Sequence, residues 1–426
     1  MDLRSIAPKN ISTPARLFLT GTIFNGIGNG IFGVVLQLYF ASMGIGSLTL
    51  GSILMMNALS AAILTVPMGF LADRYGKKKI MLVMMAAMLV SVPMLLFTRS
   101  VLMFKLAFLS IGVTNAAGVV ISPIYSSFFE KKEMDKAFGF YGALNIVTVS
   151  LGSLLGFVPP VLVDRFGFTL QNAYWAFLAF GAAFFVTQNV FYLGSIKGLE
   201  ETPGKNGFKF NIESRDLVAK ISLVQILVAV SVGLFFSLFP FYVNKKFGLE
   251  SDALGSLFFA SNLISAVFQA FSSRVSARLG SLKTIGVAFA MAAPFYLLIP
   301  FAPSFTWLSA LYILRFGFAN MAAPLFGSSL MKGLREEEKA TANSIRMMAM
   351  QAGSVIGPWL GGMLMERATL ELPAYLGSGL YAVMAVSTLL LLRNADARRG
   401  VEALAVAEAP LEDALPVEPY PPPMDE

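Results

Sequence analysis

The fold is decided by residues 69–79, which read GFLADRYGKKK and place four basic residues and one acidic residue between two long apolar runs. A degenerate copy, SRVSARLGSLK, begins at Ser273, 204 residues further on. The same offset, without a gap, aligns Gly44 with Gly248, Gly51 with Gly255 and Leu59 with Leu263. A short basic loop between apolar runs, present once in each half, predicts a membrane protein built by duplication.

Composition supports a membrane protein independently of the repeat. Hydrophobic residues make up 56% of the chain and charged residues only 13%, whereas soluble domains carry about 25% charged residues. A helix needs about 20 apolar residues to cross a bilayer, and the stretch from Leu17 to Ala72 has no charge over a length sufficient for two spans. Further charge-free stretches are Ile80–Thr98, Leu106–Phe129, Ala137–Val163, Phe166–Ile196, Ile221–Asn244, Ala253–Ser273, Thr284–Leu314, Met347–Met365 and Leu372–Leu392. Splitting the longer interval Thr284–Met331, which contains Arg315, at Pro300–Pro303 gives six spans in each half.

Basic residues predict the orientation, because Lys and Arg concentrate in cytoplasmic segments. With both termini cytoplasmic, all but seven of the 32 basic residues lie inside. Arg315 falls within a span, and the outer six are Arg99, Lys105, Arg165, Lys245, Lys246 and Arg367. The net charge of +7 therefore reflects topology, and no solvated basic face for nucleic acid is expected.

Residues 69–78 spell Gly-x-Leu-Ala-Asp-Arg-x-Gly-x-Lys, which resembles the signature loop between helices 2 and 3 of the major facilitator superfamily. The resemblance covers nearly the whole chain, since the second half repeats the first. It implies an all-α membrane fold of twelve transmembrane helices in two pseudo-symmetric six-helix bundles. It also assigns a gating role to the loop residues, which here are Gly69, Asp73, Arg74, Gly76 and Lys77.

In that superfamily the loop aspartate latches the two halves near the start of helix 11, which in this sequence is expected at Asn343 to Arg346. Ala277 replaces the aspartate in the second copy, so one such latch is expected. A carboxylate at a helix N-terminus gains about 0.3–1 kcal/mol. We therefore predict that Asp73 stabilises the outward-facing state through helix 11 and Arg346.

The predicted spans contain no carboxylate and no histidine, and the chain has no cysteine. Acid–base catalysis in a buried site needs a titratable group, and a metal site needs His, Cys or carboxylate ligands. The sequence therefore predicts a protein that is not an enzyme and that holds neither a metal nor a cofactor.

Arg315 is the one ionisable residue inside a predicted span. A buried guanidinium is costly without acceptors or a water-filled cavity. It either contacts an anionic or polar substrate or bonds to a neighbouring helix. The resemblance implies a central cavity lined by helices 1, 4, 7 and 10. The cavity candidates are Asn25, Asn29, Asn115, Gln225, Arg315 and Phe318, with further amides at Asn320 and Gln351.

Helix 11 carries a glycine motif that predicts close helix packing, because glycines four apart form a flat surface. Its residues are Gly353, Gly357, Pro358, Gly361 and Gly362. The string resembles a motif that drug/proton antiporters carry in helix 5, where this chain has only the partial match Gly152 to Gly156. Phe108 occupies the place of the helix 4 arginine of those antiporters.

The sequence predicts five segments: a cytoplasmic N-terminus (1–15), a first bundle (16–196), a cytoplasmic linker (197–216), a second bundle (217–393) and a disordered acidic, proline-rich tail (394–426). The expected function is secondary transport of a small organic solute by alternating access, as multidrug-like efflux. The alternatives are an organic-anion importer or exchanger that uses Arg315, and a non-transporting sensor or scaffold. The expected partners are the substrate, a coupling proton or ion and membrane lipid. We expect a monomer in the plasma (inner) membrane.

Overall fold

The computed structural model describes residues 11–130, 133–199, 215–326 and 336–391, and these residues form helices and no strand. Ten of the helices are long and apolar enough to cross a membrane. They are α1 (Thr13–Ser42), α2 (Ser47–Tyr75), α3 (Lys77–Leu96), α4 (Val101–Ser126), α5 (Lys136–Phe166), α6 (Leu170–Ile196), α7 (Val218–Phe247), α8 (Ser251–Leu279), α9 (Lys283–Phe301) and α10 (Phe305–Phe326). Two more long helices follow, α11 (Glu336–Arg367) and α12 (Leu372–Leu391).

Local sequence explains where these helices begin and end. Ser12 caps α1 by accepting a hydrogen bond from the backbone N–H of Ala15, and Ser304 caps α10 in the same way. The turns into α3 and α9 contain Gly76 and Gly280, which have φ of +98° and +84°. Residues with a Cβ rarely adopt this conformation. The two glycines are related by the 204-residue repeat, so the repeat preserves the junction geometry.

The helices form two bundles, α1–α6 and α7–α12, which pack in the same pattern. In the first bundle α1 packs on α5 and α6, and α2 on α4. The second repeats these contacts with α7 on α11 and α12, and α8 on α10. The two halves meet along α2–α11 and α5–α8. These are the contacts expected for two bundles related by a pseudo-twofold axis.

The repeat also places a pair of equivalent glycines, Gly51 and Gly255, at the two contacts between the halves. Gly51 of α2 lies so close to Pro358 of α11 that a Cβ would collide with the proline carbonyl. Gly255 of α8, its repeat equivalent, lies equally close to Ser153 of α5. Small residues that let backbones approach are typical of packed membrane helices.

Several spans are interrupted by short 3₁₀ turns, which often mark hinges. One turn spans Gly118–Val120 in α4, another Leu155–Phe157 in α5, and a third Phe236–Leu238 in α7. A turn at Ala322 interrupts α10 at the repeat position of Gly118. The equivalent helices α4 and α10 are therefore bent at equivalent positions.

The structure confirms the all-α fold and the break between α9 and α10, which falls between Phe301 and Phe305. The predicted start of helix 11 is wrong. Helix α11 already runs from Glu336, so Asn343 and Arg346 lie two turns or more inside it. Their N–H groups are within the helical hydrogen-bond ladder and cannot form a helix terminus. The predicted tail, residues 200–214 of the predicted linker and residues 1–10 of the predicted N-terminus lie outside the described residues.

Candidate substrate site

A cavity of about 760 Å³ lies between the first bundle and the start of α11. It extends from the middle of α1 to the end of the bundle that carries the Gly69–Lys79 loop. Its polar lining comprises Asn25, Asn29, Thr65, Asp73, Thr114, Asn115, Ser122, Tyr141, Gln188, Tyr192, Asn343, Ser344 and Gln351. A cavity of this volume suits a small organic molecule.

Amide side chains form a connected set in the cavity wall. The Nδ2 group of Asn25 donates to Oε1 of Gln188 at 2.8 Å, and Nδ2 of Asn29 donates to Oδ1 of Asn25 at 3.0 Å. On the facing wall Nδ2 of Asn115 donates to Oδ1 of Asn57 at 2.9 Å. These bonds leave Oδ1 of Asn29 and Oδ1 of Asn115 without a partner within the described residues. The cavity therefore offers amide groups that can bind a polar, uncharged substrate group.

Aromatic and methionine side chains form the rest of the wall. The apolar lining includes Phe70, Met84, Met88, Phe185 and Met347, with the rings of Tyr141 and Tyr192 beside them. Methionine is flexible and polarisable, so it adapts to ligands of different shape. Aromatic faces bind planar apolar groups. This wall can hold an aromatic substrate without fixing one ligand geometry.

Asp73 is the one charged side chain among the described residues that line the cavity. It is exposed at the mouth, and its carboxylate accepts no hydrogen bond within the described ranges. Arg346, the predicted partner, instead donates to Oδ1 of Asn343 at 3.0 and 3.2 Å. The predicted latch is therefore open in this conformation.

At the opposite end of the bundle the halves are joined. Oε2 of Glu366, in the last turn of α11, accepts a hydrogen bond from the backbone N–H of Leu48 at 2.8 Å. Ser47 beside it donates to the carbonyl of Gly362 at 3.0 Å. A carboxylate of one half thus binds the N-terminus of α2 in the other, where a negative charge is favourable. The cavity is therefore accessible from the loop end and closed at the far end.

Comparison with known families agrees with this geometry. Residues 18–217 and 221–417 match the family model described as Major Facilitator Superfamily. The chain belongs to the major facilitator superfamily. It is thus a multi-pass membrane protein and a secondary transporter of small molecules, and not an enzyme.

Two curated relatives of this transporter are distant in sequence. An uncharacterised MFS-type transporter of Methanocaldococcus jannaschii is 22% identical over 346 residues, which are 80% of this chain and 88% of the relative. The tetracycline resistance protein, class B, of Escherichia coli is 20% identical over 365 residues, which are 82% of this chain and 88% of the relative.

Solved structures of superfamily members share the fold. The nucleoside transporter NupG superposes with a TM-score of 0.69 at 14% identity, covering 88% of this chain and 99% of that one. A bacterial homologue of the human lysosomal transporter Spinster, in an inward-facing and occupied conformation, gives a TM-score of 0.64 at 16% identity. That match covers 95% of this chain and all of the other. At these identities the likeness shows the fold alone.

Arg315 lies in the interior of the second bundle of this transporter and does not line the cavity. It is 3% exposed, and its Nη2 donates to the hydroxyl of Tyr381. Its guanidinium carbon lies 3.6 Å from the centre of the Phe236 ring, 4.8 Å from that of Tyr381 and 5.3 Å from that of Tyr296. Cation–π contacts stabilise a desolvated guanidinium. Of the two interpretations of Arg315, its placement favours the structural one.

The other predicted residues divide between the cavity and the packing. Asn25, Asn29 and Asn115 line the cavity, whereas Gln225 is 5% exposed and lies beside Met350. Phe318 stacks on Phe295 and meets Phe268 edge to face. Three glycines of the helix 11 motif, Gly353, Gly357 and Gly361, pack on α7. The fourth, Gly362, meets Ser47 of α2, and Pro358 meets Gly51.

Three residues with notable contacts are not among those predicted from the sequence: Gln188, Gln37 and Glu366. Gln188 has the same signal as the chosen amides, a polar side chain in a charge-free span, but it lies in helix 6, outside the four helices considered. Glu366 directly follows the charge-free stretch Met347–Met365, at the outer end of a predicted span, where most carboxylates are solvated. Its contact with α2 depends on the packing of the two halves, which sequence position does not reveal.

Proposed function

We propose that this transporter exports a small, uncharged or cationic organic molecule that carries an aromatic or other planar polar group. The observation that carries the proposal is the cavity lining, in which amides face aromatic rings and methionines. Asp73 is the one charge among the described lining residues. Amides pair with polar groups of neutral compounds, and a carboxylate at the mouth attracts cations and repels anions.

The alternative of organic-anion import has less support. It depends on Arg315, whose guanidinium lies buried in the second bundle, donates to Tyr381 and contacts three aromatic rings. The described cavity lining contains no lysine or arginine. An anion entering this cavity would lose its hydration without gaining a cationic partner.

Two observations favour export over uptake. The basic residues predict that the loop end faces the cytoplasm, so the cavity would be open to cytoplasmic substrate. The name of the Escherichia coli relative, a tetracycline resistance protein, favours removal of an organic compound from the cell. The proposal includes cytoplasmic termini, a monomer in the plasma (inner) membrane and a coupling proton. Asp73 is the candidate proton acceptor, because it is the one carboxylate at the described cavity.

The test combines binding with transport. Purified protein is screened by thermal shift against tetracycline, a cationic dye such as ethidium, uridine and an anionic dye such as carboxyfluorescein. Binding to the folded state raises its apparent stability by an amount that grows with the ratio of ligand concentration to Kd. We expect stabilisation by a neutral or cationic compound, and proton-gradient-driven movement of that compound in proteoliposomes.

Substitutions of amide side chains in the cavity wall test whether the compound binds in this cavity. Asn115→Ala and Asn29→Ala remove amides from the two cavity walls and should weaken binding at least tenfold each. Asn172→Ala, an amide at the start of α6 and outside the cavity, is the matched control and should bind normally. Stabilisation by the anionic dye alone, lost in Arg315→Gln, would support the anion alternative. Binding without transport in any gradient would favour the sensor alternative.

A further inference from the structure

Helix α7 is broken at a position that leaves two backbone groups without their normal partners. The 3₁₀ turn Phe236–Leu238 follows Phe235 at φ −125° and ends at Leu238 at φ −114°, and regular helix resumes at Phe239. In a continuous α-helix the N–H of Phe241 would donate to the carbonyl of Ser237, four residues earlier. Because Phe241 lies in the first turn of the resumed helix, its N–H has no intrahelical partner.

A side chain from the other half occupies this gap. Nε2 of Gln37, in α1, donates to the carbonyl of Ser237 at 2.7 Å. Oε1 of the same amide accepts from the N–H of Phe241 at 3.4 Å. A primary amide presents a donor and an acceptor side by side, as a peptide group does. Gln37 therefore bridges the two groups whose direct hydrogen bond the break removed.

The break is held from the side of the second bundle as well. The Arg315 guanidinium lies 3.6 Å from the centre of the ring of Phe236, the first residue of the turn. The hydroxyl of Tyr296 donates to the carbonyl of Ser231, one turn before the break, at 3.0 Å. The second bundle thus fixes the position of the turn, while Gln37 reaches it from the first bundle.

We propose that Gln37 is a gating residue whose amide couples the break in α7 to closure of the far end of the bundle. This proposal rests on alternating access, which membership of the family implies, and not on the substrate or the direction of transport proposed above. Opening the far end separates α1 from the second half of α7 and withdraws Gln37. The carbonyl of Ser237 and the N–H of Phe241 then have two alternatives. They remain without hydrogen-bond partners, which is unfavourable in a membrane, or they bond to each other and straighten α7. Either outcome makes the shape of α7 depend on which end is open.

The test uses distances across the far end. The chain has no native cysteine, so Ser100→Cys in the first half and Ala368→Cys in the second can carry spin labels on exposed positions. Pulsed electron resonance then gives the populations of the open and closed far end. Gln37→Leu keeps the size of the side chain but removes both hydrogen bonds. We expect it to raise the ratio of far-end-open to far-end-closed molecules about tenfold, which equals about 1.4 kcal/mol.

A second variant makes the effect reversible. Gln37→Glu introduces a carboxyl that accepts from Phe241 in either form, but it can donate to Ser237 only when protonated. The open population should therefore be high at neutral pH and return towards that of the parent at acid pH. Gln269→Leu is the matched control, because that amide bonds to Ser265 within its own helix at 3.2 Å. It should leave the distances unchanged.

The outcomes separate gating from packing. A lower melting temperature of Gln37→Leu with unchanged distances would overturn the proposal and leave Gln37 a packing residue. If Gln37→Leu does not fold, the pH response of Gln37→Glu decides, and a pH-independent distribution overturns it. Failure to find an exported substrate would not affect these distances, so the two proposals fail separately.

Discussion

At the scale of single residues, Arg315 illustrates how a buried charge is stabilised without a carboxylate. Arg315→Gln removes the hydrogen bond to Tyr381 and the cation–π contacts with Phe236 and Tyr296. We expect it to lower stability by about 1–3 kcal/mol without changing affinity for the transported compound. Arg315→Lys should recover part of the loss. Thermal unfolding and ligand titration on the same samples measure both quantities. A loss of affinity at unchanged stability would instead make Arg315 a binding residue.

Glu250 gives a pH-dependent prediction at the far end. Burial raises the pKa of this carboxyl above its ordinary value, and the nearby Asp252 and Asp164 raise it further. The folded state therefore holds the proton more tightly than the unfolded state does. The contribution of Glu250 to the free energy of unfolding is therefore greatest below the ordinary glutamate pKa. It is lost as the pH rises through the raised pKa of the folded state.

Glu250→Gln should therefore be more stable than the parent near pH 7 and should lose this part of the pH dependence. Melting temperatures measured from about pH 4, near the ordinary glutamate pKa, up to about pH 8 test this prediction. Asp216→Asn changes an exposed carboxylate and is the control. A parent profile that rises across this range and is unchanged by Glu250→Gln would contradict the prediction.

The candidate site was predictable from sequence in its chemistry more than in its geometry. Amides in charge-free spans identify the polar groups, and Asn25, Asn29 and Asn115 do line the cavity. The resemblance to the superfamily implies which helices line the cavity, namely helices 1, 4, 7 and 10. It does not indicate which face of each helix points into the cavity. Gln225, Arg315 and Phe318 lie on the faces of α7 and α10 that turn into their own bundle. A rotation of one residue about a helix axis decides between cavity and core, and uniformly apolar spans give no periodicity from which to read it.

At the scale of the helices, the two contacts between the halves depend on glycines. A methyl group at Gly255 would collide with the carbonyl of Ser153, and one at Gly51 with that of Pro358. Gly255→Ala or Gly51→Ala should therefore destabilise the far-end-closed conformation by about 1–3 kcal/mol, the usual cost of overpacking. Gly33→Ala adds the same methyl to α1, where no neighbour lies within 4 Å.

The measurement is the spin-label distance across the far end, with Gly33→Ala as the reference. Both interface variants should shift the populations towards the open far end. Equal distributions in all three variants would mean that the helices separate enough to accept the methyl group at no cost. The glycines would then have no role in the equilibrium between the conformations.

The helices themselves were largely predictable, because charge-free length and the 204-residue repeat specify twelve spans. The breaks within the helices were not predictable from the sequence. Pro240 follows the α7 turn, but Pro67 and Pro93 lie inside α2 and α3 without such a turn. The α7 turn is bridged by an amide from another helix, a contact between residues 200 positions apart. No local pattern contains that information.

At the scale of the whole molecule, the basic residues predict which end faces the cytoplasm. A reporter inserted between Gly248 and Ser251 should be external, and one fused after Arg393 should be cytoplasmic. Alkaline phosphatase and fluorescent protein fusions at both sites measure this, since each is active on one side only. An external signal at the C-terminal site would place the cavity mouth outside the cell and would reverse the proposed direction of capture.

The state of the two ends gives a last prediction. Here the far end is closed by Glu366 and Gln37, while Asp73 at the mouth has no partner within the described residues. Because α11 extends to Glu336, we expect a latch on Asp73 to form with a side chain. Arg346 bonds to Asn343, which lines the same cavity as Asp73, and is the cation that would have to turn from Asn343 to Asp73. An ion pair worth about 1 kcal/mol, the upper end for pairs with an exposed partner, would change the ratio of the two conformations about fivefold.

Asp73→Asn should therefore leave the mouth open in a larger fraction of molecules and slow transport, with little change in substrate affinity. A cysteine introduced by Ser122→Cys in the cavity wall reports this as faster labelling by a water-soluble maleimide, without background from native thiols. Arg346→Gln should have the same effect, and the double variant should add nothing further, because the two changes break one contact. If the effects of the two variants simply add, Asp73 and Arg346 act separately. If labelling of Asp73→Asn equals that of the parent, Asp73 does not close the mouth and serves only to order the α2–α3 loop.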